Sequence, residues 1–255
     1  MKIRCAMFLS VLLGSLLVHS TGAYAQTPAA APAPATPARE YSGNFGGGLS
    51  LTGGNTDTRS YNLSFFHIHE RKNGNTDKVT ASYLYGSENN VTSVNRGNVA
   101  FRDEYKLSSR TFVFGEARYL SDPFKDIQWY LAPYGGLGYK FIDNDKTKLQ
   151  ASGGVGGVWE KNSYVDVHKS GSVNAGEEFS QMLGASSELK QVVVAVWKMN
   201  DFSDSLTGFS TSLTTSISKM FQLQVEFRDN YKNKPSKPQI KKNDTTFLVN
   251  FLLKY

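Results

Sequence analysis

From Glu40 to the last residue, apolar and polar positions alternate with a period of two, the pattern of strands with one face in an apolar phase and the other in a polar one. Phe221, Leu223, Val225 and Phe227 alternate with Gln222, Gln224, Glu226 and Arg228, and Tyr61, Leu63 and Phe65 alternate with Asn62 and Ser64. Phe209, Leu213 and Ile217 oppose Ser210, Ser212, Ser216 and Ser218. The final segment puts Phe247, Val249, Phe251, Leu253 and Tyr255 on one face. Clusters of Gly, Asn, Asp, Ser and Pro mark turns. They predict about twelve strands, near 42–52, 57–69, 77–86, 95–107, 110–120, 127–141, 147–160, 172–185, 188–199, 206–217, 220–230 and 244–255. A strand with its turn takes about 18 residues, ample for the roughly 9–11 that a tilted strand needs to cross a bilayer's apolar layer. The expected fold is all-β: a closed antiparallel transmembrane β-barrel of about 12 strands, an even number as in single-chain bacterial barrels.

If both termini are periplasmic, even-numbered connections face the periplasm and are short, while odd-numbered ones face outward and are longer. Ser108-Ser109, Asp143 to Lys146, Ser186-Ser187 and Ser218-Lys219 are tight, whereas Ser87 to Val94, Lys161 to Gly171, Asn200 to Ser205 and Tyr231 to Asn243 are longer. Glu70 to Thr76 and Gly53-Gly54-Asn55-Thr56 depart from that rule. Trp129, Trp159 and Trp197 fall on the outward parity, toward the outer end of their strands, where an interfacial aromatic girdle belongs. The competing placement is the core of a soluble sandwich, where each indole N–H needs a partner.

Residues 1–25 have the three parts of a secretory signal peptide: basic Lys2 and Arg4, an apolar stretch from Ala6 to Val18, and small residues in Ala23-Tyr24-Ala25 before Gln26. Cys5, the one cysteine, leaves with that segment, which excludes a disulfide scaffold, a cysteine metal cluster and a cysteine nucleophile from the mature chain. Residues 26–39 form an Ala/Pro-rich stretch, read as an extended periplasmic linker. The 28 basic residues fall to 26 on cleavage, against 22 acidic ones, a balance of +4. These charges are spread over turns and alternating strand positions, not gathered on one face, so no nucleic-acid partner is expected. Past the signal, no run approaches the roughly 18 apolar residues of a membrane-spanning helix.

Gly46-Gly47-Gly48-Leu49-Ser50-Leu51-Thr52-Gly53-Gly54-Asn55-Thr56-Asp57-Thr58 joins a small-residue strand, a Gly-Asn turn and the next strand. This run resembles the opening hairpin of the family of salt-induced outer-membrane proteins, a domain-of-unknown-function family of outer-membrane barrels, over roughly residues 40–255. Two glycine-rich strands, Tyr134-Gly135-Gly136-Leu137-Gly138-Tyr139 and Gly153-Gly154-Val155-Gly156-Gly157-Val158-Trp159, are consistent with it. The resemblance implies an outer-membrane location and no assigned activity, and it brings no catalytic motif. Separately, Phe247, Val249, Phe251, Leu253 and Tyr255 resemble the signal read by the barrel-assembly machinery, since an exposed apolar edge can start insertion by strand addition.

Arg102, Glu104, Lys106, Glu116, Arg118, Glu178, Lys198, Glu226 and Arg228 lie on the polar parity and are the lumen-lining candidates, five basic against four acidic. Such a lumen carries a mixed ionic network. Twelve strands fall between barrels that side chains fill and those that leave a wide channel, so a plugged barrel and a narrow pore both remain open. Asp103 breaks the pattern, falling on the apolar parity between Phe101 and Tyr105, as a bulge would explain. His67 and His69 share one face and are a weak metal candidate lacking a third ligand. His168 belongs to a predicted outer loop. A lipid-facing serine hydrolase needs serine beside histidine, yet Ser60 and Ser64 lie on the parity opposite His67, and no G-x-S-x-G elbow occurs. The glycine runs match no phosphate loop; they read as places where wall and side chains pack closely.

The reading is therefore a barrel of unassigned activity in the outer membrane of a Gram-negative cell, a narrow passive pore or an envelope structural protein. No cofactor is expected, and the partners are membrane lipid, the assembly machinery and small solutes. A hydrolase and a soluble periplasmic barrel that binds a small ligand are the alternatives.

Overall fold

A computed structural model describes residues 40–53, 58–88 and 91–255. The signal segment, the linker at 26–39 and residues 54–57 of the first turn lie outside the described residues. Among the described residues the strands are β1 (Tyr41–Gly53), β2 (Thr58–Glu70), β3 (Thr76–Glu88), β4 (Val91–Lys106), β5 (Thr111–Asp122), β6 (Ile127–Asp143), β7 (Thr147–Lys161), β8 (His168–Met182), β9 (Ser187–Lys198), β10 (Asp201–Ser216), β11 (Phe221–Lys232) and β12 (Asn243–Lys254). Each pairs with its chain neighbours and β1 pairs with β12, so the sheet closes as an antiparallel barrel without edges. The short turns of the even-numbered connections share the end that carries Tyr41 and Lys254, the termini end; the odd-numbered connections share the far end.

Alternation in sequence becomes alternation in space. Along β12, Phe247, Val249, Phe251 and Leu253 are exposed on the outside while Leu248, Asn250 and Leu252 are buried inside. At the closing seam, Gly48 of β1 faces both Asn62 of β2 and Asn250 of β12. A Cβ on Gly48 would strike the Val249 carbonyl, and its absence lets Asn62 Nδ2 reach over β1 to Asn250 Oδ1 at 2.7 Å. A second close approach lies on the β5–β6 wall, where the Phe112 ring occupies the space a side chain on Gly138 would need.

The strands are longer than expected at the far end. β3 and β4 run to Glu88 and from Val91, with a register shift at Gly86/Ser87, and β8 and β10 begin at His168 and Asp201. The expected loops at 87–94 and 200–205 are therefore mostly strand, and His168 is the first residue of β8. Ser93, Ser203 and Asp204 have turn-like composition, but the rim and lumen of a polar-lined barrel accept the same residue types in extended chain. Asp103 was expected to mark a bulge. The register Asp77↔Asp103↔Gly115 is unbroken, so Asp103 points outward, toward Arg71 at the termini end.

The β5–β6 connection turns into the barrel. Pro123–Lys125 form one turn of 3-10 helix, whose N-terminus is capped by Asp122 accepting the Lys125 N–H. Asp126 ends it in the left-handed region at φ 59°, a conformation Asp tolerates better than most residues. This wedge buries Ile127 in a lumenal cluster with Tyr130, Ala132, Val158 and Val196, flanked by Leu120 and Leu206. Nearer the termini, Phe112, Phe114 and Tyr134 pack together, and the Arg102 guanidinium lies 3.8 Å from the Phe114 ring centre. A desolvated cation–π contact of this kind contributes about 2 kcal/mol.

Candidate functional site

Inward-facing charges form a belt across the termini half of the lumen. Arg102 donates from Nε to Glu104 at 2.7 Å and from Nη1 to Glu116 at 2.8 Å, and Glu116 also holds Arg118, whose Nε reaches the Tyr134 hydroxyl at 3.0 Å. Lys78 Nζ lies 3.3 Å from Glu104 on β4 and 3.3 Å from Glu178 on β8. β3 and β8 lie on opposite sides of the barrel, so this ammonium bridges the lumen. Lys190 completes the group at 2.8 Å from Glu178. Arg228 donates to both oxygens of Glu226, at 2.7 and 2.8 Å, and also to Ser82 Oγ across the lumen at 3.1 Å.

At the far end, Arg96 on β4 bridges Asp122 at 2.6 Å and Asp244 on β12 at 2.7 Å. Lys125, on the wedge, donates to the backbone carbonyls of Asn230 at 2.7 Å and Lys242 at 3.2 Å. Burial pushes the Lys125 ammonium below the ordinary lysine range, although Asp244 opposes the shift. On the other side, Glu160 of β7 accepts from Lys198 at 2.7 Å and Lys232 at 3.0 Å, and Asp204 holds the same two lysines. Glu160 and Lys232 expose 2% and 4% of their side chains, so this pair is buried within the cluster. Asp126 joins the connections: it accepts from Ser163 N at 3.2 Å and Ser236 Oγ at 2.8 Å, and lies 3.5 Å from Lys237. Burial pushes its carboxyl up, but these hydrogen bonds outweigh it and hold Asp126 below the usual carboxylate range.

Between the termini end and this closure lies a cavity of about 860 Å³. Its lining starts at Glu70, Asp145, Lys146 and Lys254 near the termini and stops at Asp122, Lys125, Ile127 and Tyr130. The lumen is thus a vestibule with a floor.

Of the residues singled out for the lumen, Glu104, Arg118, Glu178, Glu226 and Arg228 line the cavity. Arg102 and Glu116 stand behind them as ion-pair partners, Lys198 lies in the far-end cluster, and Lys106 is exposed at the strand end beside the Asn73–Asn75 turn. Lys78, Lys190, Glu160 and Lys232 were missed although they stand on the inward parity of their strands. Arg96 was missed as well, on the inward parity of the strand expected at 95–107, whereas Lys125 lies in a turn and gave no usable signal. Trp129, Trp159 and Trp197 sit near the far ends of β6, β7 and β9, where Trp159 pairs with the outward Leu131 and Trp197 with Val173.

His67 and His69 share the outward face of β2 but have separate partners. His67 Nδ1 lies 3.0 Å from the Tyr255 hydroxyl, while His69 Nδ1 lies 3.1 Å from Asp77 and its ring stacks on Tyr41. Among the described residues, no group of three or more His, Cys, Asp or Glu is placed to hold a metal ion. Phe247, Val249, Phe251, Leu253 and Tyr255 are exposed on the outside at the seam.

Residues 46–255 match the model of the family described as "Protein of unknown function, DUF481". No curated protein matches the chain's sequence. Among solved structures, the NanC porin is similar with a TM-score of 0.56 at 11% identity, covering 84% of this chain and 100% of that one. An outer-membrane channel from Pseudomonas putida F1 is similar with a TM-score of 0.50 at 11% identity, covering 84% of this chain and 94% of that one. The likeness is one of fold: a closed barrel of the outer-membrane porin kind.

Proposed function

We propose, from the premise that the chain belongs to the DUF481 family, that it acts as a narrow passive pore for small solutes in the outer membrane, closed at its outer end in this conformation. Both termini then lie in the periplasm, residues 1–25 serve as the cleaved export signal, and the barrel-assembly machinery inserts the chain. Membrane seating is supported by the outward rows, where Phe45, Leu49 and Phe251 at the seam and Val155 on the opposite wall are exposed with no covering layer. The observation that carries the pore reading is the 860 Å³ vestibule with its floor. The floor is built by a connecting segment, Pro123–Lys125, and by side-chain contacts, so its displacement leaves the strand ladder intact. A purely structural barrel needs no such vestibule.

Planar-bilayer recording tests this. The wild-type protein is expected to give rare, brief current steps, and a variant with Arg96→Ala and Lys125→Ala long-lived ones. Absence of steps from both, with each barrel shown to be folded by heat-modifiable gel mobility, overturns the pore reading in favour of a structural barrel.

A further inference from the structure

The two sides of the vestibule differ in chemistry. On β3, β4, β5, β8 and β9 the wall is ionic, but its cations are occupied: Lys78 and Lys190 by Glu178, Arg118 by Glu116. A charged solute binding to these cations has to displace a partner from a part-buried pair, at a cost that its own charge recovers only with near-ideal geometry. On β10, β11, β12 and β2 the wall is uncharged between Glu70 and Lys254 at the rim and the Glu226–Arg228 pair farther in. Thr214 pairs in register with Gln224, Gln224 with Asn250, Asn250 with Gly48, and Gly48 with Asn62, so one row crosses five strands.

Along that row, amides hydrogen-bond head to tail. Asn62 Nδ2 donates to Asn250 Oδ1 at 2.7 Å, Asn250 Nδ2 to Gln224 Oε1 at 3.0 Å, and Gln224 Nε2 to Thr214 Oγ1 at 3.2 Å. The relay uses one N–H of each amide and leaves the second, because a primary amide carries two donors. Gln224 and Thr214 line the cavity, with Gln222, Ser212 and Ser210 beside them. Asn250, wholly buried, and Asn62, nearly so, lock their orientation from behind. Asn62 Oδ1 is itself a buried acceptor without a partner. The result is a fixed strip of alternating donors and acceptors, free of charge and facing water. Its natural complement is a molecule whose hydroxyls both donate and accept.

We infer that the vestibule binds small, uncharged polyhydroxylated solutes of mono- to disaccharide size, held on the strip formed by Ser212, Thr214, Gln222 and Gln224. The volume suits this class, since pockets of about 300–1,000 Å³ enclose such ligands. The inference rests on the pore reading for its biological sense, but binding from the termini end requires no passage through the floor.

The test is saturation-transfer NMR on the full-length barrel in detergent, with glucose, glucuronate and glucosamine, three sugars of one ring size that differ in charge. Glucose is expected to receive saturation, and glucuronate and glucosamine about fivefold less. Gln224→Leu with Thr214→Val is expected to remove the glucose signal. Should that pair disturb folding, judged by heat-modifiable mobility, Gln222→Leu serves instead and lowers the signal severalfold. No transfer to glucose, transfer unchanged in the folded variants, or stronger transfer to either charged sugar overturns the inference. Because this measurement needs no current, its failure is distinct from failure of the pore reading.

Discussion

The two ends of the lumen share one wall of alternating strands and yet end differently. Toward the termini, inward residues are Ser, Thr and Gln on one side and the Lys78, Glu104, Glu178 and Lys190 network on the other, and a cavity remains between them. Toward the far end, inward residues are Ile127, Tyr130 and Val196 with Glu160, Lys198 and Lys232 beyond them, and a connecting segment folds in to fill what is left. The difference teaches that strand number alone does not decide whether a barrel of this size is open. The decision lies in a few long inward side chains and one wedge.

Glu160→Ala should sharpen this contrast most. It leaves Lys198 and Lys232 packed together with Asp204 alone to neutralise them. Removing one partner of a buried pair costs about 3–5 kcal/mol. The urea midpoint of the heat-modifiable band is expected to fall accordingly, and an unchanged midpoint would mean that the far end is hydrated.

Acid should act on the same end. Asp126 has a depressed folded-state value, so its contribution is present above the ordinary carboxylate range and is lost as pH falls through that depressed value. Hydrogen exchange over residues 233–242, corrected for its intrinsic pH dependence, is expected to quicken in that window. Asp126→Asn should make it fast already at neutral pH and remove the acid dependence; an acid step that persists in the variant assigns the effect elsewhere.

Asn250→Leu probes the other end. It orphans the Asn62 donor and the Gln224 acceptor at the seam, at a cost of about 1–2 kcal/mol. The expected sign is a lower urea midpoint with an undisturbed far end, reported by unchanged exchange over 233–242. The smallest effect belongs to Asp103→Leu, since its nearest cation, Arg71, is 3.8 Å away and both are well exposed. A change beyond about 1 kcal/mol would show that the outward Asp77–Arg71–Asp103 group is more than a rim feature.

The sequence was legible wherever period-two alternation governs. Strand number, closure and the inward parity of Arg102, Glu116 and Glu226 follow from that one rule, because side-chain direction in a strand is fixed by position. The far end was not legible for two reasons. Ser203 and Asp204 have turn-like composition but sit in a strand, where Asp204 faces a polar interior, so they read as loop. Lys125 belongs to a turn, and no periodicity tells a turn that projects into solvent from one that folds inward. The ion pairs that cross the lumen, such as Lys78–Glu178, join strands five places apart in the barrel. Only closure brings them together.

Side-specific thiol labelling tests the two-ended lumen most directly. The barrel has no cysteine of its own, Cys5 being the chain's only one, so Ser212→Cys in the vestibule gives a single reporter in proteoliposomes of defined orientation. A membrane-impermeant maleimide is expected to label it rapidly from the termini side and negligibly from the other. Equal labelling from both sides would contradict a closed far end.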